Sequence, residues 1–296
     1  MTPSRQPGPW LLAAVFAIEL VAFAPALAQP GVIRAPAAKF SDGTDQVYPW
    51  HIFWRDEVAA GRAPLWNPYV FAGMPASAEP QTQTFYPANA VWLVLPPDVA
   101  SKLVLLLHLM LGSGLMYGLA RQIGASPIGS AVSALAFGLH GQMAVFCFAG
   151  WTQMIAPMAW APGVLWALAR ACDPKTPAGR GAALTGVLIG VQILSGHPEW
   201  VRYTLISASL FVVFSRMGTW LRRGTVFAAA VAIGVMIAGP QLFPTLEAAR
   251  LSSRGQLALE QGPMLHGAGL PPLTLPTVVV PRLFGPWDLQ VSTDGV

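Results

Sequence analysis

The stretch KLVLLLHLMLGSGLMYGLA, from Lys102 to Ala120, decides the fold class. As a helix it covers about 30 Å, the hydrocarbon thickness of a bilayer, and between Lys102 and Arg121 it carries no charge. Comparable apolar runs lie at Trp10–Ala28, Ile128–Phe148, Met154–Ala171, Ala182–Ser195, Tyr203–Phe214 and Val226–Phe243. The pattern predicts an all-α polytopic transmembrane bundle of about seven spans.

Composition agrees. Only 10% of the 296 residues are charged, 54% are hydrophobic, and the mean hydropathy is +0.53. A water-facing surface normally needs about a quarter charged residues, so lipid must cover much of this chain. The pI near 9.4 does not signal nucleic acid, because no basic cluster with interleaved aromatics occurs. Cys147 and Cys172 form no framework and read as apolar packing residues.

Charge placement sets the orientation. With a cytoplasmic N-terminus, the short inner loops hold Arg5, Arg121, Arg170, Lys175, Arg180, Arg216, Arg222 and Arg223 against one acid, Asp173. Of the 13 acids, 11 fall outside and Glu19 lies within the first run. That asymmetry is the positive-inside pattern. Arg5, the apolar stretch and Ala26-Leu27-Ala28 also fit a cleaved signal peptide. A retained first helix is the expectation, and both readings put residue 29 outside.

Two outer segments follow. Residues 29–100 form a long aromatic and proline-rich loop carrying short helices, one over Tyr48–Ala60 with Pro49 at its start and Gly61 after its end. Its Tyr48, Trp50, Phe53 and Trp54 suit a membrane interface. Residues 244–296 follow the last span and stop abruptly, without a charged or polar tail. The expected division is a bundle over 1–243 and an outer segment over 244–296.

Candidate chemistry lies in those outer parts. Asp42 and Asp45 precede the short helix; a carboxylate at the lipid boundary can act as a general base, and equally can cap a turn. Trp66 and Asn67, in Pro64-Leu65-Trp66-Asn67-Pro68, can stack on and hydrogen-bond a sugar or pack a rigid loop. The run Gln81-Thr82-Gln83-Thr84-Phe85-Tyr86-Pro87-Ala88-Asn89 offers polar groups before the chain re-enters lipid. His197, Glu199 and Arg202 at a bundle mouth can bind phosphate or a divalent metal. His108 and His140 read as intramembrane histidines satisfied by neighbouring helices. Gly239-Pro240 breaks the last helix, as happens where a helix lines a cavity. No Walker loop, Rossmann glycine pattern, zinc spacing or Gly-x-Ser-x-Gly occurs, which excludes those soluble chemistries.

Taken in order, these elements resemble the YfhO-like family of bacterial membrane proteins, which is similar to the GT-C class of polytopic glycosyltransferases. The resemblance rests on Asp45-Gln46 with Pro49, Gly61 through Pro68, Gly73-Met74-Pro75, Tyr86-Pro87 with Asn89, Gly196-His197-Pro198, Gln241 through Thr245, and Ser253-Arg254. It implies a bacterial inner-membrane protein moving a sugar from a polyprenyl phosphate to an envelope glycan, lipid or protein. The catalytic carboxylate then falls on Asp45, with Asp42 as second choice. Trp66, Asn67, Gln81, His197, Glu199 and Arg202 become substrate-binding candidates, while a metal cofactor stays open. YfhO-like chains are generally longer and have more helices, so the resemblance implies that this sequence is an N-terminal portion of such a chain. The rival readings are a flippase or transporter for lipid-linked sugars and a non-enzymatic assembly partner. A transporter needs polar residues through the membrane midplane, and in the sequence these crowd to the outer side.

Overall fold

Apolar segments surrounded by lipid must satisfy their backbone groups internally, and a helix does so within one segment. The computed structural model describes residues 10–33, 41–252 and 276, and among them it contains helices and no strand. The long helices begin with α1 (Trp10–Leu27). The segment after it holds a π-helical turn (Gly43–Val47), α2 (Tyr48–Ala59), three 3₁₀ turns and the single-turn α3 (Val91–Val94). Then come α4 (Pro97–Gln122), α5 (Pro127–Gly138), α6 (Gly141–Ala149), α7 (Thr152–Cys172), α8 (Ala178–Leu194), α9 (Pro198–Phe214), α10 (Trp220–Ile237) and α11 (Gly239–Leu251).

Among the described residues four helices, α1, α4, α7 and α10, are long and apolar enough to cross a membrane. A fifth crossing results if α5 and α6 count as one span, bent by 46°. The run Ile128–Phe148, expected as a continuous span, is therefore broken. α5 ends at Gly138, which packs so close that any side chain there would strike Glu19 Oε1 and Ser113 Oγ, and His140 turns extended (φ −66°, ψ 152°) before α6 begins. α8 and α9, at 17 residues each, cover about 25 Å and fall just short of the other spans.

Burial is inverted relative to a water-soluble bundle. Val21 in α1 is 75% exposed, while Glu19, two residues away, is wholly buried. Val213 and Met236 point outward, whereas Ser113, Thr185, Gln192 and Thr204 are enclosed. Water would favour the reverse, so the outer surface is built for lipid. Glu19 is held across helices by one oxygen, its Oε1 accepting from Ser113 Oγ of α4, whose hydroxyl also faces Ala134 O of α5 at 3.2 Å.

Lipid tails are as apolar as leucine, so helices here associate through close contact of small residues. α8 packs on α10 and α7, and α4 on α7 and α5. At the α8–α10 contact, a Cβ on Gly186 would lie 2.6 Å from Ile233 Cβ and 2.8 Å from Ala230 O. One turn on, a Cβ on Gly190 would lie 2.8 Å from Ile237 Cβ. Gly112 allows the same approach of α4 to Ala159 on α7.

The connections sort to two ends. At one, Arg222 donates to Ala171 O (2.9 Å), Asp173 O (3.0 Å) and Thr176 O, and Arg223 to Val212 O (2.8 Å) and Gly218 O (3.0 Å). The described parts of the long segment, residues 28–33 and 41–96, share the other with the α6–α7 turn and Ser195–His197. The chain divides into two units, Met1–Glu247 and Ala248–Val296. In the second, the described part is the end of α11 with Ser252 Oγ on Ala249 O (2.8 Å), and Pro276. Ser253-Arg254 and most of the expected outer segment lie outside the described residues, as does Arg5.

Gly186→Leu should separate α8 from α10, because the side chain meets backbone as well as Ile233. Overpacking of this kind costs about 1–3 kcal/mol. A lower thermal unfolding midpoint in detergent than for an exposed control, Ser209→Leu, is expected.

Candidate functional site

The site-forming end begins with a proline. Pro157 in α7 has no N–H, so the carbonyl of Gln153, four residues earlier, lacks its helical partner. That carbonyl accepts the backbone N–H of His197 at 3.0 Å. The approach requires Gly196, which sits at φ +138° and whose Cβ would collide with Gln153 O. Ser195-Gly196-His197-Pro198 is thereby fixed to the first turns of α7.

Gln83 ties the long segment to the same place. It adopts a left-handed backbone (φ 55°) and is buried. Its Nε2 donates to Ser195 O, its Oε1 faces His51 Nε2 at 3.1 Å, and its carbonyl accepts from Asn89 Nδ2 (2.7 Å) and Tyr86 N (2.9 Å). His51 in α2 is also buried, stacked on Trp92 with centroids 4.6 Å apart, its Nδ1 2.8 Å from Val47 O. Burial pulls the His51 pKa below its ordinary value, against smaller contributions from its hydrogen bonds. Both facing atoms are carbonyl oxygens, so the neutral ring donates to one of them at a time.

A second chain anchors Tyr86. Val104 O, 2.6 Å from His108 Nδ1, can only accept, so that nitrogen carries the proton. Nε2 then accepts from the Tyr86 hydroxyl at 2.5 Å, and Trp160 Nε1 donates to the same oxygen at 2.8 Å. Burial raises the Tyr86 phenol above its usual pKa. His108 is thus a satisfied interior histidine, as expected. Gln241 Nε2 on Ser77 O (2.9 Å) and Thr245 Oγ1 on Ala78 O (2.9 Å) tie the start of α11 to the segment.

The expected catalytic acids lie beside this assembly. Asp42 and Asp45 are both exposed. Asp45 Oδ2 accepts Ser41 N–H at 2.8 Å and its Oδ1 faces Thr44 Oγ1 at 3.3 Å, which is a capping geometry. Their turn rests on the α6–α7 junction, where Gly43 leaves room for Ala149 O and Ser41 Oγ reaches the same carbonyl at 3.4 Å. Trp66 is 57% exposed and covers Gly73. Asn67 is buried and holds its own loop, pairing backbone with Met74 (2.8 and 2.9 Å) and accepting Tyr69 N–H on Oδ1 at 2.9 Å. The gap it lines with Trp50 and Met74 has no room for a water molecule, so Asn67 serves the loop. Of the four rings expected at a lipid interface, Trp50 and Phe53 are buried in protein. Gln81 is half-buried, its N–H on Glu79 Oε1 at 3.1 Å.

At the start of α9, His197 Nδ1 faces Glu199 N–H at 3.4 Å, and the exposed Glu199 pairs with Arg202 at 3.2 Å. Arg202 also lies over Tyr203 at 5.7 Å. Below it opens a groove of about 590 Å³ walled by Val201, Leu205, Ile206 and Leu210 of α9 and by Val235 and Leu242. Of the expected site residues, Arg202 alone lines it.

Between the acids and Arg202 lies a feature the residue types did not announce. Trp151 Nε1, Thr152 Oγ1 and Gln153 Oε1, three consecutive residues opening α7, are buried and have no hydrogen-bond partner. Among the described residues the same holds for Glu19 Oε2, Asn89 Oδ1, Trp92 Nε1, Gln192 Oε1 and Gln241 Oε1, but only here do such atoms fall on consecutive residues. Gly150 beside them touches the Asp42–Asp45 turn. On the other side Trp151 meets Phe146 (5.5 Å between centroids), and Phe146 meets Trp200 (6.1 Å) on the first turn of α9. Among the described residues no three His, Cys, Asp or Glu side chains gather as metal ligands do. Pro157 was the readable signal for this region; the left-handed Gln83 left none. No protein-family model matches the chain, and no curated protein matches it.

Because His51 has a depressed pKa when folded, the unfolded chain binds its proton first as pH falls. Stability should therefore decline on acidification from about pH 6.5, the ordinary histidine value, down to the folded pKa. His51→Gln should flatten that part of the profile. Unfolding midpoints in detergent across pH 5 to about 8 measure both.

Proposed function

We propose that the chain is a multi-pass bacterial inner-membrane protein of seven spans, with its N-terminus in the cytoplasm and residues 29–100 outside. On this reading α8, α9 and the bent α5–α6 pair complete the spans begun by α1, α4, α7 and α10. We further propose that it is a glycosyltransferase-like protein transferring a sugar from a polyprenyl-phosphate carrier to an envelope acceptor. The observation that carries the reading is the orphaned polar turn Trp151–Gln153. It lies between an acid-bearing turn and an arginine that tops an apolar groove. A carrier of this kind needs an apolar channel for its chain, a cation for its phosphate, and hydrogen-bond partners for its sugar.

In this reaction the groove would take the prenyl chain and Arg202 would hold the phosphate. Trp200 and Trp151 offer faces for the sugar, and Thr152 and Gln153 offer unpartnered polar atoms. Asp45 would accept the acceptor's hydroxyl proton as that oxygen bonds to the anomeric carbon, and the lipid phosphate would leave with the electrons of the broken bond. The sugar inverts. Asp45 must then give up its hold on Ser41 N–H, which its exposed position permits.

The second reading, a transporter or flippase, draws on one observation. Glu19 and Ser113 place polar atoms within α1 and α4, with Glu19 Oε2 unpartnered. Ionisable groups buried at that depth are costly and often functional.

Asp45→Asn should cut transfer by about 100-fold or more, the usual worth of a general base, while Glu19→Gln should leave transfer near normal. Mass analysis of envelope glycans in cells carrying each variant at equal membrane abundance provides the measure. Normal glycan mass with Asp45→Asn, together with a defect for Glu19→Gln, would replace the transferase by the transporter.

A further inference from the structure

At the basic end of the bundle a cavity of about 410 Å³ opens between the last turn of α7 and the first turns of α8. Its wall carries Arg170, Lys175 and Arg180, all exposed, with Ala167 and Leu184 beside them. Among the described residues no carboxylate lies in ion-pair contact with any of the three cations. The ion pairs among the described residues are Arg62–Glu57 and Arg202–Glu199. Asp173, the acid closest in sequence, is outside the wall and accepts the Lys175 backbone N–H at 2.9 Å.

The end of a helix would ordinarily oppose an anion, because its last carbonyls carry partial negative charge. Here Arg222 covers Ala171 O, Asp173 O and Thr176 O, removing that opposition behind the cavity. Arg170 is steadied over Trp166 at 5.8 Å, a ring of the kind that sits at headgroup level. From Leu184 (40% exposed), the outward face of α8 continues one turn on to Val187 (43% exposed). Three uncompensated cations thus stand above an apolar strip, at the end of the span-length helix α7.

We propose that this cavity is a binding site for an anionic phospholipid, its phosphate among Arg170, Lys175 and Arg180 and its acyl chain along Leu184 and Val187. A free phosphate would use the cations and leave the apolar strip bare. A zwitterionic lipid would place its own cation among three others. The anionic lipid matches both halves, and the assignment stands whether or not the opposite end transfers a sugar.

The test titrates the full chain, purified in neutral detergent, with short-chain phosphatidylglycerol, phosphatidylcholine and inorganic phosphate, and reads binding by native mass spectrometry. Phosphatidylglycerol should bind more tightly than either of the others. A basic residue near an anionic surface contributes about fivefold in affinity, so Arg170→Gln, Lys175→Gln and Arg180→Gln together should weaken that binding by about 100-fold. Arg216→Gln, an exposed cation of the same face outside the wall, should change it less than any single wall variant. Equal binding of phosphatidylglycerol and phosphatidylcholine, undiminished binding by the variants, or inorganic phosphate binding as tightly as the lipid would each overturn the assignment. The single variants, each at an exposed side chain, keep the result decisive if the triple variant misfolds.

Discussion

A carbonyl that loses its helical partner where water is scarce must find another donor, and in this chain that need fixes the functional end. Pro157 removes the partner of Gln153 O, and His197 N–H supplies the replacement. Because the new donor lies in a different connection, a gap in one helix becomes a joint between α7 and the α8–α9 turn. Gln83 adds the second joint, reaching Ser195 O from the long segment, and His51 holds Gln83 from behind. Removing the donor at either joint strands an acceptor that has no water to turn to, a loss on the order of 1–3 kcal/mol. The loops at this end therefore behave as part of the bundle.

The same scarcity explains the division of labour among polar residues. In α8 and α9, Gln192 Nε2 reaches Pro157 O (2.8 Å) and Thr204 Oγ1 (2.7 Å), so its amide joins three helices. Glu19 is held by Ser113 in the same manner and makes α1 part of the packed bundle. The pairing is incomplete, since Glu19 Oε2 and Gln192 Oε1 have no partner among the described residues. What sets Trp151, Thr152 and Gln153 apart is that they are consecutive, whereas the other buried unpartnered atoms among the described residues are not.

How much of this was legible follows from which signals are local. Hydropathy is a property of each run, so every expected apolar segment coincides with helix, and the pause at Gly239-Pro240 appears as the break between α10 and α11. The bend after Gly138 was not legible, since the run Ile128–Phe148 is apolar on both sides of it, and the need for glycine there comes from Glu19 and Ser113 on two other helices. Asn67 shows the limit of residue type. A buried amide that holds a loop and one that holds a sugar look alike in sequence, and only the absence of space beside it separates them. Trp50 and Phe53 likewise suit lipid or protein equally until the loop folds over them. The groove was invisible because α9, α10 and α11 each contribute a part that means nothing alone.

The arrangement also constrains chemistry at this end. Asp45 and Arg202 are not members of one cavity; the orphaned turn and the rings of Trp151, Phe146 and Trp200 lie between them. Any reaction using both must bridge that interval with the substrate itself. A small solute cannot, whereas a sugar attached to a long apolar chain can keep its tail in the groove and extend its head across the aromatic row. On the proposed reading, the exposed carboxylate would meet an acceptor from the aqueous side and the carrier would arrive from lipid. Two substrates of opposite solubility would then approach from opposite directions, an arrangement that an acid set apart from the groove permits.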